Sequence, residues 1–474
     1  MATNSPSSLG TDSIGSLLFK YSLPAIVAMA SASLFNVIDS IFVGHGVGGA
    51  AIAGMAITLP IMNVAVAFGA MVGVGAGARI SIRIGEGNKI MAEKILCNAI
   101  ILNLIIGTLI SVVMLCFMDE ILILFSGGKA NQDTLQYAKD FMTIIMAFNV
   151  ITHLYLGMND MMRASGYPTK AMRIVLVSVL INIILNPLFI FHFHWGIKGS
   201  ALATIISQSI SFVLALRHFL SSESFIHFKR KYFRIDFRII AQILSIGLAP
   251  FLLNICASMV ATFVNKALLE YGGSGKNDTV GADGDVFVSA YGIVNRIALL
   301  FVMIVQGFNQ GMQPIVGYNY GAKNMARVKK ALFTTIVCAV SVGFVTFAAI
   351  ELFPEGIAGL FVDTSKGERD FMIMQTATTA IRTILILCPL VGFQIVAGNF
   401  FQYIGKAHLS IFTNLTRQLL FLLPFIWTLP VYYGAYGVWI SMPLADCGSI
   451  LLSTTLLIRE IRKLNRQSGV QLKE

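Results

Sequence analysis

The sequence predicts an all-α polytopic membrane protein: twelve transmembrane helices in two six-helix lobes, parallel repeats of one another, around a central cleft. Three observations carry that prediction. The 474-residue chain is 56% hydrophobic and only 12% charged, with a mean hydropathy of +0.78, which is too apolar for a water-soluble globule. Apolar runs long enough to cross a bilayer recur along its whole length. Short motifs of the first half return in the second.

The apolar runs fall at about residues 15–43, 50–76, 92–118, 134–159, 170–191, 196–220, 238–269, 285–312, 328–353, 371–399, 408–431 and 435–458, each of a length suited to one crossing. Alternate connectors collect the basic residues. With the amino terminus inside, twenty-four Lys and Arg lie on the inner side, among them Arg79, Arg83, Lys89, Arg173 and the run Lys229-Arg230-Lys231, against seven outside. That asymmetry places both termini in the cytoplasm. It also accounts for the net charge of +11 without nucleic acid as a partner. Six cysteines at irregular spacing inside apolar runs read as small buried hydrophobes, not as a disulfide framework or zinc site. Residues 1–14, which carry no basic cluster, are expected to form a tail, since the run behind them is too long for a signal-peptide core.

The longest inner connector divides the chain into a first lobe over 15–220, a cytoplasmic linker over 221–237 and a second lobe over 238–458, followed by a cytoplasmic tail over 459–474. Pro24 corresponds to Pro250, Gly85-Glu86-Gly87-Asn88 to Gly321-Ala322-Lys323-Asn324, and Gly196-Ile197-Lys198-Gly199 to Gly434-Ala435-Tyr436-Gly437. Six spans is an even number, so both lobes start and end on the same side. Repeats of that kind bind substrate between them and rock against each other. Prolines inside spans, such as Pro24, Pro60, Pro250, Pro314 and Pro389, are candidate bends, although proline is common in membrane helices anyway.

Within the first span, Asn36-Val37-Ile38-Asp39-Ser40 puts a carboxylate at membrane depth. A charge there costs roughly 2.5 to 3.5 kcal/mol on insertion scales, so such residues face a protein interior or a wet cavity. Asp39 is therefore a functional candidate; the bland alternative is a structural acid hydrogen-bonded to Asn36, Ser40 or a neighbouring helix. Asn182 and Asn186 are four residues apart and share one helix face. A second membrane acid, Asp446, is accompanied by Arg296, Arg382 and Arg417. It is a second ion or substrate site, or else it neutralises one of those arginines, and the second reading is favoured because buried charges are generally paired. Asp160 and Arg163, at a helix end, read as interfacial.

The motifs Asn36 to Gly44, Arg163-Ala164-Ser165-Gly166, Gly199-Ser200-Ala201-Leu202-Ala203-Thr204 and Gln313-Pro314-Ile315-Val316-Gly317-Tyr318-Asn319-Tyr320-Gly321 resemble the multidrug and toxic compound extrusion (MATE) transporters, in their bacterial MepA-like branch. The resemblance runs from about residue 16 to 459. It implies a protein of the bacterial plasma (inner) membrane that expels cationic or amphipathic organic compounds while protons or sodium ions enter, with no cofactor. In the related DinF-like branch a first-helix Asp works with an Asn and an Asp of the fifth helix and a Thr of the sixth. Asp39, Asn182 and Thr204 match that pattern, and Asn186 stands where those relatives have Asp. An amide takes up no proton, so Asp39 would carry the cycle in this lobe alone, with Asn182, Asn186, Thr204 and Ser40 as neutral ligands that leave sodium open as the coupling ion.

The chemistry agrees with that implication. The string nearest to a phosphate-binding loop, Gly272-Gly273-Ser274-Gly275-Lys276-Asn277, lacks the earlier glycine and the following Ser or Thr, so ATP is not the energy source. A carboxylate in a low-dielectric cleft suits ion exchange because burial disfavours its charged form. Tyr137, Tyr155, Tyr291 and Gln306 are candidate cleft-lining residues with Asn36, Asp446 and the three arginines. His192-Phe193-His194 beside Trp195 reads as interfacial, and Asp278, Asp283 and Asp285 lack a calcium-loop pattern. The expected partners are small organic cations and the lipid bilayer, the expected state a monomer. A lipid-linked-precursor flippase is the alternative, since three membrane arginines can hold a phosphate. Free arginines lining both lobes would favour it, and paired ones in a single lobe would favour the exporter. A membrane enzyme ranks last, for want of any metal, nucleophile or paired-acid constellation.

Overall fold

The computed structural model describes residues 8–126, 131–273, 283–362 and 367–470, with all side chains there except those of Asn36 and residues 467–470. Asn36 as a lining residue, Asp278 and most of the string around Lys276 therefore lie outside the description. Among the described residues every regular element is a helix. A single turn, α1 (Ser8–Thr11), precedes α2 (Ile14–Gly46), α3 (Gly49–Gly85) and α4 (Lys89–Cys116). A short α5 (Met118–Ser126) leads into α6 (Gln132–Ala147), α7 (Asn149–Ala164), α8 (Pro168–Pro187) with a π turn at Leu188–His192, and α9 (Gly196–Leu220). The second half follows with α10 (Phe237–Tyr271), α11 (Gly284–Gly321), α12 (Met325–Leu352) and a short α13 (Pro354–Gly359). Then come α14 (Glu368–Ile384), α15 (Cys388–Tyr403), α16 (Ala407–Leu415), a π segment at Thr416–Leu422, α17 (Leu423–Tyr433) and α18 (Ala435–Val470).

Ten of these helices are long and apolar enough to cross a membrane, α8 taken with its π turn and α16 with α17. The bent pairs α6–α7 and α14–α15, at 58° and 54°, each add one more, which gives the twelve expected spans. Irregularities recur in the same places of the two halves. The broken spans are the fourth and tenth, the π turns fall in the fifth and eleventh, and the short helices follow the third and ninth. Each π turn abuts a proline, Pro187 before one and Pro424 after the other. Pro389 is the second residue of α15, directly after the break, whereas Pro24, Pro60, Pro250 and Pro314 lie inside continuous helices.

The motifs matched in the sequence form the same turn twice. Gly87 and Lys323 both adopt left-handed backbone, at φ 74° and 58°. Asn88 Oδ1 then accepts from Met91 N at 3.0 Å, and Asn324 Oδ1 from Arg327 N at 3.3 Å, each satisfying a free N–H of the helix that follows.

The chain forms two compact units. One holds residues 8–254, 310–327 and 403–407. Within it α3 packs on α4, α6 and α7, α8 packs on α2 and α9, and Ala76, Ile80, Leu96, Met158 and Met161 are sealed in the interior. Gly85 and Gly321 let α3 and α11 meet backbone to backbone, because a Cβ on either would fall 1.9 or 2.0 Å from the opposing carbonyl oxygen. Residues 221–237, expected as a plain connector, are docked here. Ile226 is fully buried, Lys229 Nζ lies 2.8 Å from the buried Glu93 carboxylate, and Asp236 N donates to Asn98 Oδ1 at 2.9 Å. In the second unit α18 packs on α14, on α17 and on the π segment before it, and the buried Trp439 stacks on Phe287 and Tyr291.

Candidate functional site

Asp39 lies seven residues before the end of α2, about 10 Å along the helix axis, and is 5% exposed. Two helices converge on it. From α8, Asn186 Nδ2 donates to Asp39 Oδ1; from α9, Ser200 Oγ donates to the same oxygen at 2.6 Å. Asn186 Nδ2 also reaches Asn182 Oδ1 at 3.4 Å, and Asn182 Nδ2 donates to Thr204 Oγ1 at 3.2 Å. The result is one hydrogen-bonded chain, Asp39 to Asn186 to Asn182 to Thr204, with Ser200 as a second arm. Helix geometry explains it, since 182 and 186 on α8 and 200 and 204 on α9 are each one turn apart and present their side chains from one face. Asn186 is the last residue before Pro187 and the π turn, where the regular ladder ends.

Asp39's hydrogen-bond partners are both neutral, and among the described residues no ion pair involves it. Asn186 Oδ1 is buried and accepts no hydrogen bond there. On its other side Asp39 opens into a cavity of about 710 Å³ that Ser40, Thr58 and Thr204 share with apolar side chains such as Phe35, Ile52, Met55 and Phe141. The site thus combines one carboxylate, amide and hydroxyl oxygens, and an apolar wall large enough for an organic molecule. Among the described residues no group of three or more His, Cys, Asp or Glu could hold a metal ion.

Of the expected site residues, Asp39, Asn182, Asn186 and Thr204 come together, and Ser40 joins them at the cavity wall. Ser200, which donates directly to the acid, was not singled out; its spacing of four from Thr204 was the available signal. Tyr137 is half-buried in the packing of α6, and Tyr155 is 6% exposed among Met158, Met162 and Ile174, so neither lines this cavity. In the second unit Gln306 Oε1 accepts from Asn399 Nδ2 at 3.4 Å, and Tyr291 lies on Trp439. Asp446, 3% exposed, is held by Arg417 Nε at 2.5 Å. Arg382 pairs with Glu351 at 3.5 Å, and Arg296 stands 5.9 Å over the Phe361 ring. All three arginines have company within one unit, an arrangement that does not favour a flippase. Asp160 and Arg163 pair with each other near the end of α7, each side chain 16% exposed.

A family model described as MatE matches residues 24–188 and 279–428. Over 462 residues, 97% of this chain and 97% of the relative, the sequence is 25% identical to the multidrug export protein MepA of Staphylococcus haemolyticus (strain JCSC1435). It is 22% identical over 445 residues, 94% of each chain, to the protein of the same description from Staphylococcus aureus (strain NCTC 8325 / PS 47). Two solved structures are similar in fold. An outward-facing conformation of a multidrug resistance MATE family transporter of the MOP superfamily superposes with a TM-score of 0.87 at 24% identity, over 98% of this chain and 100% of that one. MATE in the bent conformation gives 0.89 at 23% identity, over 99% and 100%.

Proposed function

Because this chain belongs to the MatE family, in its MepA-like branch, we propose that it is a secondary antiporter: it exports cationic or amphipathic organic compounds as protons or sodium ions enter. The observation that carries this reading is a buried carboxylate with neutral partners only, open on one side to an apolar cavity. Ionised, Asp39 attracts a cation or holds the amide and hydroxyl network closed. Protonated, it loses that attraction and its new O–H can donate to Asn186, whose Oδ1 is otherwise unpartnered. A sodium ion would satisfy the same oxygens as a hard cation. Either ion competes with cargo for one charge, and entry of one charge through 100 mV supplies roughly 2.3 kcal/mol. The family relatives named as multidrug exporters support the cargo class.

We assign the alternating access to residues 15–220 and 238–458 rocking against each other as two lobes, in a monomer with both termini on the cytoplasmic side of a bacterial plasma membrane. Binding of a fluorescent aromatic cation to the purified protein tests the competition. Affinity should fall as pH falls in the native protein and lose its pH dependence in Asp39→Asn. An unchanged pH dependence in that variant removes Asp39 from the mechanism. Imposing proton and sodium gradients separately on vesicles then distinguishes the coupling ion.

A further inference from the structure

Between the far ends of α8 and α9 from the π turn, the first unit holds a second cavity, of about 470 Å³. Its rim is cationic. Lys170 and Arg173 stand one turn apart on α8, and Arg217 stands on α9. The wall is apolar about 5 Å deeper along both helices, where Val177 and Leu214 line it. Charge at the mouth and apolar surface within is the layout of a lipid, with a headgroup at the interface and chains below.

The rim carries positive charge in excess. Lys170 is paired with Glu223, whose carboxyl that ammonium holds below the usual carboxylate range. Arg173 and Arg217 are exposed and form no ion pair among the described residues. Two guanidinium groups across one opening match the oxygens of a phosphate, which arginine binds through paired hydrogen bonds. Basic pockets between membrane helices on the cytoplasmic side are suited to anionic headgroups, and the excess of basic connectors assigns this end of the spans to that side.

We infer that this crevice binds an anionic phospholipid, its headgroup phosphate between Arg173 and Arg217 and an acyl chain along Val177 and Leu214. A soluble phosphate would use the rim and leave the apolar wall bare, so the cavity's depth selects the lipid. The same two helices carry Asn186 and Ser200 to Asp39, so a lipid seated here ties together the elements that frame that acid.

Native mass spectrometry of the full chain, with phosphatidylglycerol and phosphatidylcholine as the probes, tests the inference. The native protein should retain phosphatidylglycerol in preference to the zwitterionic lipid. Arg173→Gln and Arg217→Gln should each weaken retention about fivefold and the double variant about twenty-five-fold. Val177→Trp keeps every charge, fills the wall and should also lose the lipid, whereas Glu223→Gln frees Lys170 and should tighten retention. Equal retention of the two lipids, unchanged retention in the double variant, or displacement of the lipid by an equal concentration of glycerol phosphate would each overturn the assignment.

Discussion

Asp39 and Asp446 are buried to nearly the same degree, at 5% and 3% exposure, yet they are held in opposite ways. Asp446 is clasped by the Arg417 guanidinium, which projects from the π segment of the eleventh span. Asp39 receives an amide from beside the π turn of the fifth span and a hydroxyl from the sixth. Removing the charge of a carboxylate paired with a guanidinium leaves the partner's charge uncompensated. One held by neutral donors can change its charge with no other charge left behind. Under the proposed function, the contrast separates a carrier from a structural acid by the charge of its partners and not by burial.

The strongest way to break the contrast is to give Asp39 the surroundings of Asp446. Asn186→Arg places a guanidinium against the acid and should abolish gradient-driven efflux in vesicles while the protein still inserts and purifies; retained efflux would show that a fixed countercharge is harmless there. Next in size, Asp446→Leu leaves Arg417 without its partner. Breaking a fully buried pair costs about 3 to 5 kcal/mol. The Arg417 side chain is 33% exposed, so the loss should be smaller, as solvent screens what remains. Thermal melting in detergent should show a lowered midpoint for Asp446→Leu, restored when Arg417→Met is added.

Ser200→Ala should have a more modest effect that sharpens the contrast instead of breaking it. It removes one of two hydrogen bonds that favour the ionised form of Asp39, each worth roughly 1.5 to 3 kcal/mol for a charged acceptor. The pH profile of efflux should therefore change, with the maximal rate largely kept. A profile that does not move would separate Ser200 from the titration. Smallest of all, Tyr137→Phe and Tyr155→Phe should leave efflux as it was, since neither residue lines the Asp39 cavity.

Much of this was legible in the sequence, because a membrane imposes strong rules. Length and hydropathy located the spans, and the cost of an intramembrane charge singled out Asp39 before any geometry was known. Spacing of four placed Asn182 with Asn186, and the same rule applied to Ser200 and Thr204 would have found the missing donor. Other features left weaker traces. The break between α6 and α7 falls at Ala147-Phe148, with neither proline nor glycine to mark it, whereas Pro389 marks its counterpart. Which face of a span lines a cavity is hard to read where nearly every face is apolar, hence the two tyrosines that lie in packed interior instead. The partner of Asp446 was one of three arginines far apart in sequence, and only the packing of the π segment against α18 selects Arg417.

The central claim is that the acid with neutral partners exchanges charge and the acid with a charged partner does not. Efflux of an organic cation from vesicles under one imposed gradient, compared between Asp39→Asn and the doubly neutral Asp446→Leu with Arg417→Met, tests it most directly. The account predicts background efflux from the first and efflux close to the native rate from the second. Full efflux from the first, or none from a stably folded second, would contradict it.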